Sequence, residues 1–215
     1  MSEMTVVVRV WLPDRPGALG AVASRIGAVR GDVVAIDVLE RGGGRAVDEL
    51  TVCLPDASVV DLLIDEIGQV DGVDVENVRP LVGGERDRAV AALDAAQQMV
   101  SADDPDDLLR ITCRVTRQLT SADWVTVLDG TVKEFRALAG TPSETPEWLA
   151  VFIAGAAEQG AIGELAFSPL DDHLWLVVSR SALPLRSAER QLVDQLALIV
   201  GQSLARLRAG AAAPK

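Results

Sequence analysis

The side chains best suited to holding a small charged molecule cluster in one short run, Asp14-Arg15-Pro16-Gly17-Ala18-Leu19, with Asp32 and Val33 further along. Gly17 can take backbone geometry closed to other residues and lets a ligand approach the main chain closely. If Pro16-Gly17 opens a helix, the amides of Gly17, Ala18 and Leu19 lack intrahelical acceptors and suit a carboxylate. Asp14 is placed to accept from an ammonium group. Asp32, at the start of a following strand, is expected to reach the same cleft, because neighbouring strands lie about 5 Å apart. Donors facing acceptors across a few ångströms make a receptor for a free α-amino acid. Two carboxylates can accept but not donate, which tilts the cleft toward basic or neutral ligands. Set close together they would also raise each other's pKa. The Arg15 guanidinium works the other way, restoring affinity for anions. A competing reading makes Asp14 a helix cap, Pro16 and Gly17 the start of the helix, and Asp32 a turn residue.

Catalytic chemistry finds little support. His173 is the sole histidine, so one chain cannot build a histidine-rich metal site or a histidine pair. Asp171-Asp172-His173 precedes a strand, where solvated turn residues are expected. Gly42-Gly43-Gly44 joins two strands and does not lead a strand into a helix, as a phosphate loop must. No Gly-x-Ser-x-Gly elbow occurs. No catalytic residue, metal or cofactor is therefore expected.

These side chains must be positioned by regular elements, and the periodicity supplies them. Val6, Val8 and Val10 alternate against Val7 and Arg9 in a half-buried strand over 5–12. A helix follows with Leu19, Val22, Ile26 and Val29 on one face, ending at Gly31. Strands over 33–39 and 47–54 flank the glycine hairpin loop. Asp56-Ala57-Ser58 starts a helix carrying Leu62, Leu63 and Ile67, and Asp71-Gly72 turns into a last strand over 73–78. The order βαββαβ is the ferredoxin-like arrangement, two helices on one face of a four-stranded antiparallel sheet. Pro80 to Gly84 is the expected boundary, dividing the chain into 1–82 and 83–215.

Beyond it, a helix over 86–100 precedes Asp104-Pro105-Asp106-Asp107, a strong helix start: an aspartate cap, proline in the first turn, and acids complementing the dipole. Strands are expected over 123–128 and 132–139, a buried helix over 147–158, strands over 163–167 and 173–179, and a long closing helix from Ser187. That helix is a candidate dimer contact. The Ala/Gly-rich tail from Arg208 to Lys215 reads as disordered.

The segment over 5–80 resembles an ACT domain. The likeness rests on Leu12-Pro13-Asp14-Arg15-Pro16-Gly17-Ala18-Leu19, on Gly31-Asp32-Val33-Val34-Ala35-Ile36, and on the βαββαβ order. It implies side-by-side assembly and an amino acid held where the first loop of one protomer meets its neighbour. Residues 88–207 resemble a GAF domain through Ala122-Asp123-Trp124-Val125-Thr126-Val127-Leu128, Leu174-Trp175-Leu176-Val177-Val178, Leu183-Pro184-Leu185 and Ser187-Ala188-Glu189-Arg190. That implies an antiparallel sheet with flanking helices, serving to bind a small ligand or to dimerise. Trp124, Phe135, Trp148 and Trp175 would line such a pocket or simply fill the core.

Composition bounds the partners. A net charge of −12 repels phosphate backbones and anionic membrane surfaces. The start of the chain has no signal-peptide pattern, and the apolar stretch over 148–157 is too short to span a bilayer. Cys53 and Cys113 match no metal-ligand spacing and read as reduced core residues. The expected protein is a cytoplasmic homodimeric sensor of an amino acid. The alternative is a subunit that regulates a partner enzyme in trans.

Overall fold

The computed structural model describes residues 3–81, 88–130, 135–156, 161–162 and 164–212. The chain divides into two compact units, Met1–Asp87 and Arg88–Lys215.

The first unit runs β1 (Met4–Pro13), α1 (Ala18–Ala28), β2 (Asp32–Gly42), β3 (Arg45–Leu54), α2 (Val60–Gly68) and β4 (Asp74–Pro80). It is the expected ferredoxin-like βαββαβ unit. Asp56 accepts from the Ser58 amide at 2.8 Å and opens a single 3₁₀ turn before α2. All pairings are antiparallel, in the order β2-β3-β1-β4. Val6, Val8, Val10 and Leu12 of β1 join Ala46, Leu50, Val52 and Leu54 of β3 beneath Val22 and Ile26 of α1 and Leu63 and Ile67 of α2. On α1 the buried row is Ala18, Val22 and Ile26, so Ala18 takes the place expected of Leu19, which is only partly covered.

The expectation of a half-buried β1 is overturned, because Val7 and Arg9 are buried as well. The sheet's second face is closed by charge pairing. Arg9 donates to Glu49 Oε1 from Nε at 3.0 Å and from Nη2 at 2.7 Å, and Arg79 reaches the same oxygen at 3.4 Å. Trp11 donates to Glu76 at 3.1 Å beside them.

The second unit comprises α3 (Arg88–Val100), α4 (Pro105–Thr120), β5 (Trp124–Asp129), β6 (Arg136–Gly140), α5 (Pro146–Ala156), β7 (Ala161–Ile162), β8 (Leu165–Pro169), β9 (Leu174–Ser179) and α6 (Ser187–Ala212). Its antiparallel sheet has the order β6-β5-β9-β8-β7. Asp104 caps α4 as expected, accepting from the Asp107 amide at 2.8 Å. One sheet face meets Ala95 and Met99 of α3, Leu108 and Val115 of α4, and Leu196, Val200 and Leu204 of α6. The other face meets Leu149, Ala150 and Ile153 of α5.

Three expectations need correction. Of the tail expected over 208–215, Arg208 to Ala212 continue α6, an alanine-rich run extending a helix already formed, and 213–215 lie outside the described residues. The helix over 147–158 is not buried all round: Val151 is 73% exposed, because α5 lies on a sheet and covers it with one side only. Cys53 is only half-buried, whereas Cys113 is buried and burial pushes its thiol up to about 12. A thiolate is the reactive form, so Ellman's reagent at neutral pH should titrate Cys53 in the native protein and Cys113 after unfolding. Two native thiols reacting together would contradict this placement.

Candidate functional site

β1 ends in a tight corner. The Asp14 amide bonds the Gly44 carbonyl at 2.9 Å and the Arg15 amide bonds the Pro13 carbonyl at 2.8 Å. Gly17 then stands at φ 86°, a left-handed conformation that disfavours any side chain, and serves as the N-cap of α1. No side chain caps this helix. The Ala18 amide makes a long bond, 3.3 Å, to the Arg15 carbonyl, while those of Gly17, Leu19 and Gly20 meet no acceptor among the described residues. Asp14, Arg15, Pro16 and Gly17 are all exposed. The competing reading of Asp14 as the cap is thereby excluded. Of the three amides expected to be open, Gly17 and Leu19 have no acceptor among the described residues, Ala18 is bonded to Arg15, and Gly20 joins the open set.

Asp32 is elsewhere. β2 does not adjoin β1, because β3 lies between them, and Asp32 pairs with Cys53, which pairs with Thr5 at the far end of β1. Thr5 and Asp14 are separated by nine residues of strand, about 30 Å at the usual rise. Within one chain Asp32 and its half-buried neighbour Val33 therefore do not share a cleft with Asp14. The sequence could not show that the hairpin-linked β2 would take the edge of the sheet.

The structure instead supplies a carboxylate that periodicity concealed. Asp48 is opposite Val10 on β1 and Val38 on β2, so it stands on the helix-covered face. It is 3% exposed, and its Oδ1 has no hydrogen-bond partner among the described residues. Burial raises its pKa, Arg41 on β2 lowers it, and Asp14 raises it further. The two charges that act on Asp48 thus come from the edge strand β2 and from the loop before α1. The signal available beforehand was an aspartate in an apolar strand; Asp48 and Glu49 sit side by side, and alternation cannot say which faces the core.

The aromatic residues of the second unit are used in packing. Trp124 is buried with Leu149, Ile153, Leu165 and Phe167, and Phe135 and Trp175 pack against that cluster. Trp148 is half-exposed and stacks on Phe152 at 5.2 Å; Phe152 meets Phe167 edge-on at 6.3 Å, and Phe167 meets Trp175 at 6.0 Å. Asp171 builds a turn, accepting from the amides of His173 at 2.9 Å and Leu174 at 2.8 Å, and pairs with Arg208 at 2.8 Å. Among the described residues no group of three His, Cys, Asp or Glu is placed to hold a metal ion, and no helix is long and apolar enough to cross a membrane.

Residues 6–72 match the ACT domain family. Among solved structures, the chain is similar to the ACT domain of GTP pyrophosphokinase from Chlorobium tepidum, at 18% identity over 37% of this chain and 100% of that one, with a TM-score of 0.31. It is also similar to the GAF domain of a phosphoenolpyruvate-protein phosphotransferase from Coxiella burnetii, at 12% identity over 59% of this chain and 97% of that one, TM-score 0.46. A third likeness is to the GAF domain of the potassium sensor histidine kinase KdpD from Escherichia coli, at 19% identity over 58% and 97%, TM-score 0.45. No curated protein matches the chain.

Proposed function

We propose that this protein is a non-enzymatic regulator that senses an amino acid at its ACT domain, with the site completed between two copies of the chain. ACT domains are typically small-molecule regulatory domains. The observation that carries the reading is the open end of α1: three partnerless amides at Gly17, Leu19 and Gly20 lie beside the exposed Asp14. Such a helix end favours a carboxylate, and Asp14 disfavours a second negative group on the ligand.

The second copy enters through β2. This edge strand exposes Val34 (43%), Ile36 (45%) and Val38 (40%), apolar side chains beside unpaired backbone groups. Soluble proteins seldom leave such an edge open, because it templates pairing with another strand. By contrast, the apolar stripe of α6 is taken up inside its own unit, where Leu196 is buried and Leu192, Ile199 and Leu207 pack on the core. In this reading the dimer contact lies on β2 and not on the closing helix. Pairing β2 antiparallel with its own copy brings the start of one strand alongside the end of the other. Gly42 shares a rung with Arg45 and Pro13, next to Asp14. In the dimer the partner's Asp32 thus approaches the loop that Asp32 cannot reach within one chain.

Ile36→Lys places a charge in the middle of that edge and is expected to leave a monomer by sedimentation. It should also remove the rise in melting temperature that a bound amino acid gives the native state. A monomeric variant that binds as tightly as the wild type would refute the shared site. The GAF-like unit would receive or relay the signal, if the ligand prefers one arrangement of the dimer over another. The alternative, a subunit regulating a partner enzyme in trans, is favoured by the exposed Trp148 and Val151 on α5. A stoichiometric partner retained regardless of added amino acid would select it.

A further inference from the structure

We propose that Asp48, and not the exposed Asp14, is the acceptor for the ligand's ammonium group, so that a cationic amine is the obligatory feature of whatever binds here. The inference rests on the reading of the α1 end as a ligand site, and the experiment below separates the two. Asp48 is almost wholly buried, and Oδ1 meets no donor among the described residues. A buried carboxylate oxygen without a donor is costly unless something supplies one. The fold does not supply it: Val10 and Val38 flank Asp48 across the sheet, and Ala46 and Leu50 flank it along β3 on the same face. The charged groups acting on it are Arg41 from β2 and Asp14 from the loop; none comes from α1 or α2. An ammonium entering between loop and edge strand would give Asp48 its missing donor, while the ligand carboxylate takes the open amides of α1. Asp14 at the mouth then repels a second carboxylate, which disfavours acidic amino acids.

The geometry also sets a pH dependence. Burial and the neighbouring Asp14 hold the Asp48 carboxyl above the usual aspartate range against the pull of Arg41. The ionised form is the one that takes an ammonium, so affinity should fall as pH drops through that raised value. The same protonation stabilises the ligand-free fold: the effect is fully present below the ordinary aspartate value and is lost as pH rises through the raised one.

Calorimetry on the full chain is the test, using the twenty L-amino acids, their 2-hydroxy-acid counterparts, and n-butylamine and cadaverine as amines without a carboxylate. The expected result is an amino acid that binds while its 2-hydroxy acid binds at least about tenfold more weakly. Asp48→Asn should then lower affinity by about ten- to a hundredfold, the scale of one charged hydrogen bond. It should also flatten the pH dependence and melt no lower than wild type without ligand. Equal binding of an amino acid by wild type and Asp48→Asn would overturn the role of Asp48 and leave the sensor reading standing. Binding of the amines but of no amino acid, abolished by Asp48→Asn, would keep Asp48 and overturn the amino-acid reading. Failure of both ligand classes to bind would overturn both. An Asp48→Asn protein that is markedly less stable would mark a structural residue and also overturn the assignment.

Discussion

Arg180→Met should destabilise the second unit by about 3–5 kcal/mol, the usual cost of stranding one partner of a buried ion pair. Arg180 follows β9 directly and is buried with Glu189 of α6, to which it donates from Nη1 at 2.7 Å and from Nη2 at 2.9 Å. Its other donors reach three carbonyls: Leu183 at 2.8 Å, Thr120 at 2.7 Å and Pro184 at 2.9 Å. One guanidinium thus ties the end of β9, the C-terminus of α4 and the connection into α6. Glu189 Oε2 also accepts from the Arg186 amide at 2.8 Å, closing the first turn of α6. Loss of Arg180 takes a donor from each of three carbonyls and both of its bonds from the buried Glu189, which also lies 3.8 Å from Arg88. The double variant Arg180→Met/Glu189→Leu removes both charges and should recover part of the loss. Trp124, Trp148 and Trp175 lie in this unit and Trp11 in the first, so urea unfolding followed by tryptophan fluorescence in a Trp11→Phe background reads it selectively. A single variant within about 1 kcal/mol of wild type would show that the clamp contributes little.

Gly201→Ala should lower stability although alanine is the better helix former. Propensity alone predicts a gain of about 1 kcal/mol from this change in the middle of α6. The packing predicts the opposite sign. A Cβ at position 201 would lie 2.3 Å from the Leu170 carbonyl oxygen and 3.3 Å from its carbon. That carbonyl belongs to main chain and cannot swing aside. It sits in the turn between β8 and β9, where the Leu170 amide bonds the Leu174 carbonyl at 2.8 Å and Asp171 is pinned by Arg208 of α6. Moving α6 away would loosen Val200 and Leu204, which are buried in the core. Overpacking of this kind costs about 1–3 kcal/mol, and Gly201→Val should exceed Gly201→Ala. Thermal denaturation of the three proteins decides it. A melting point for Gly201→Ala above that of wild type would mean that propensity wins and that the contact yields.

The candidate site shows which parts of such a reading come from neighbouring residues and which do not. The bend at Pro16-Gly17, the open amides that follow and the order of elements around them all arise within a few residues, where glycine's φ, proline's geometry and the alternation of valines decide the outcome. Asp104 as a cap and the hairpin at Gly43 and Gly44, both at positive φ, are local in the same sense. The clamp at Arg180 and Glu189 is different. The run from Leu174 to Arg190 suggests a strand, a connection and a helix start, yet nothing in it says that Arg180 turns inward to meet Thr120.

What the chain's own order of residues determined, then, is the inventory: two α+β units, their strands and helices, and a Pro16-Gly17 bend that leaves amides open at the start of α1. The tertiary structure alone decided who meets whom. Placing β3 between β1 and β2 carried Asp32 to the opposite end of the sheet, and the pairing of Val10 with Asp48 turned that acid toward the helices. Both depend on strand order and register between residues far apart in sequence. A shift of one residue in register exchanges the faces of every side chain on a strand, so two adjacent acids, Asp48 and Glu49, could be assigned only once the strands were paired.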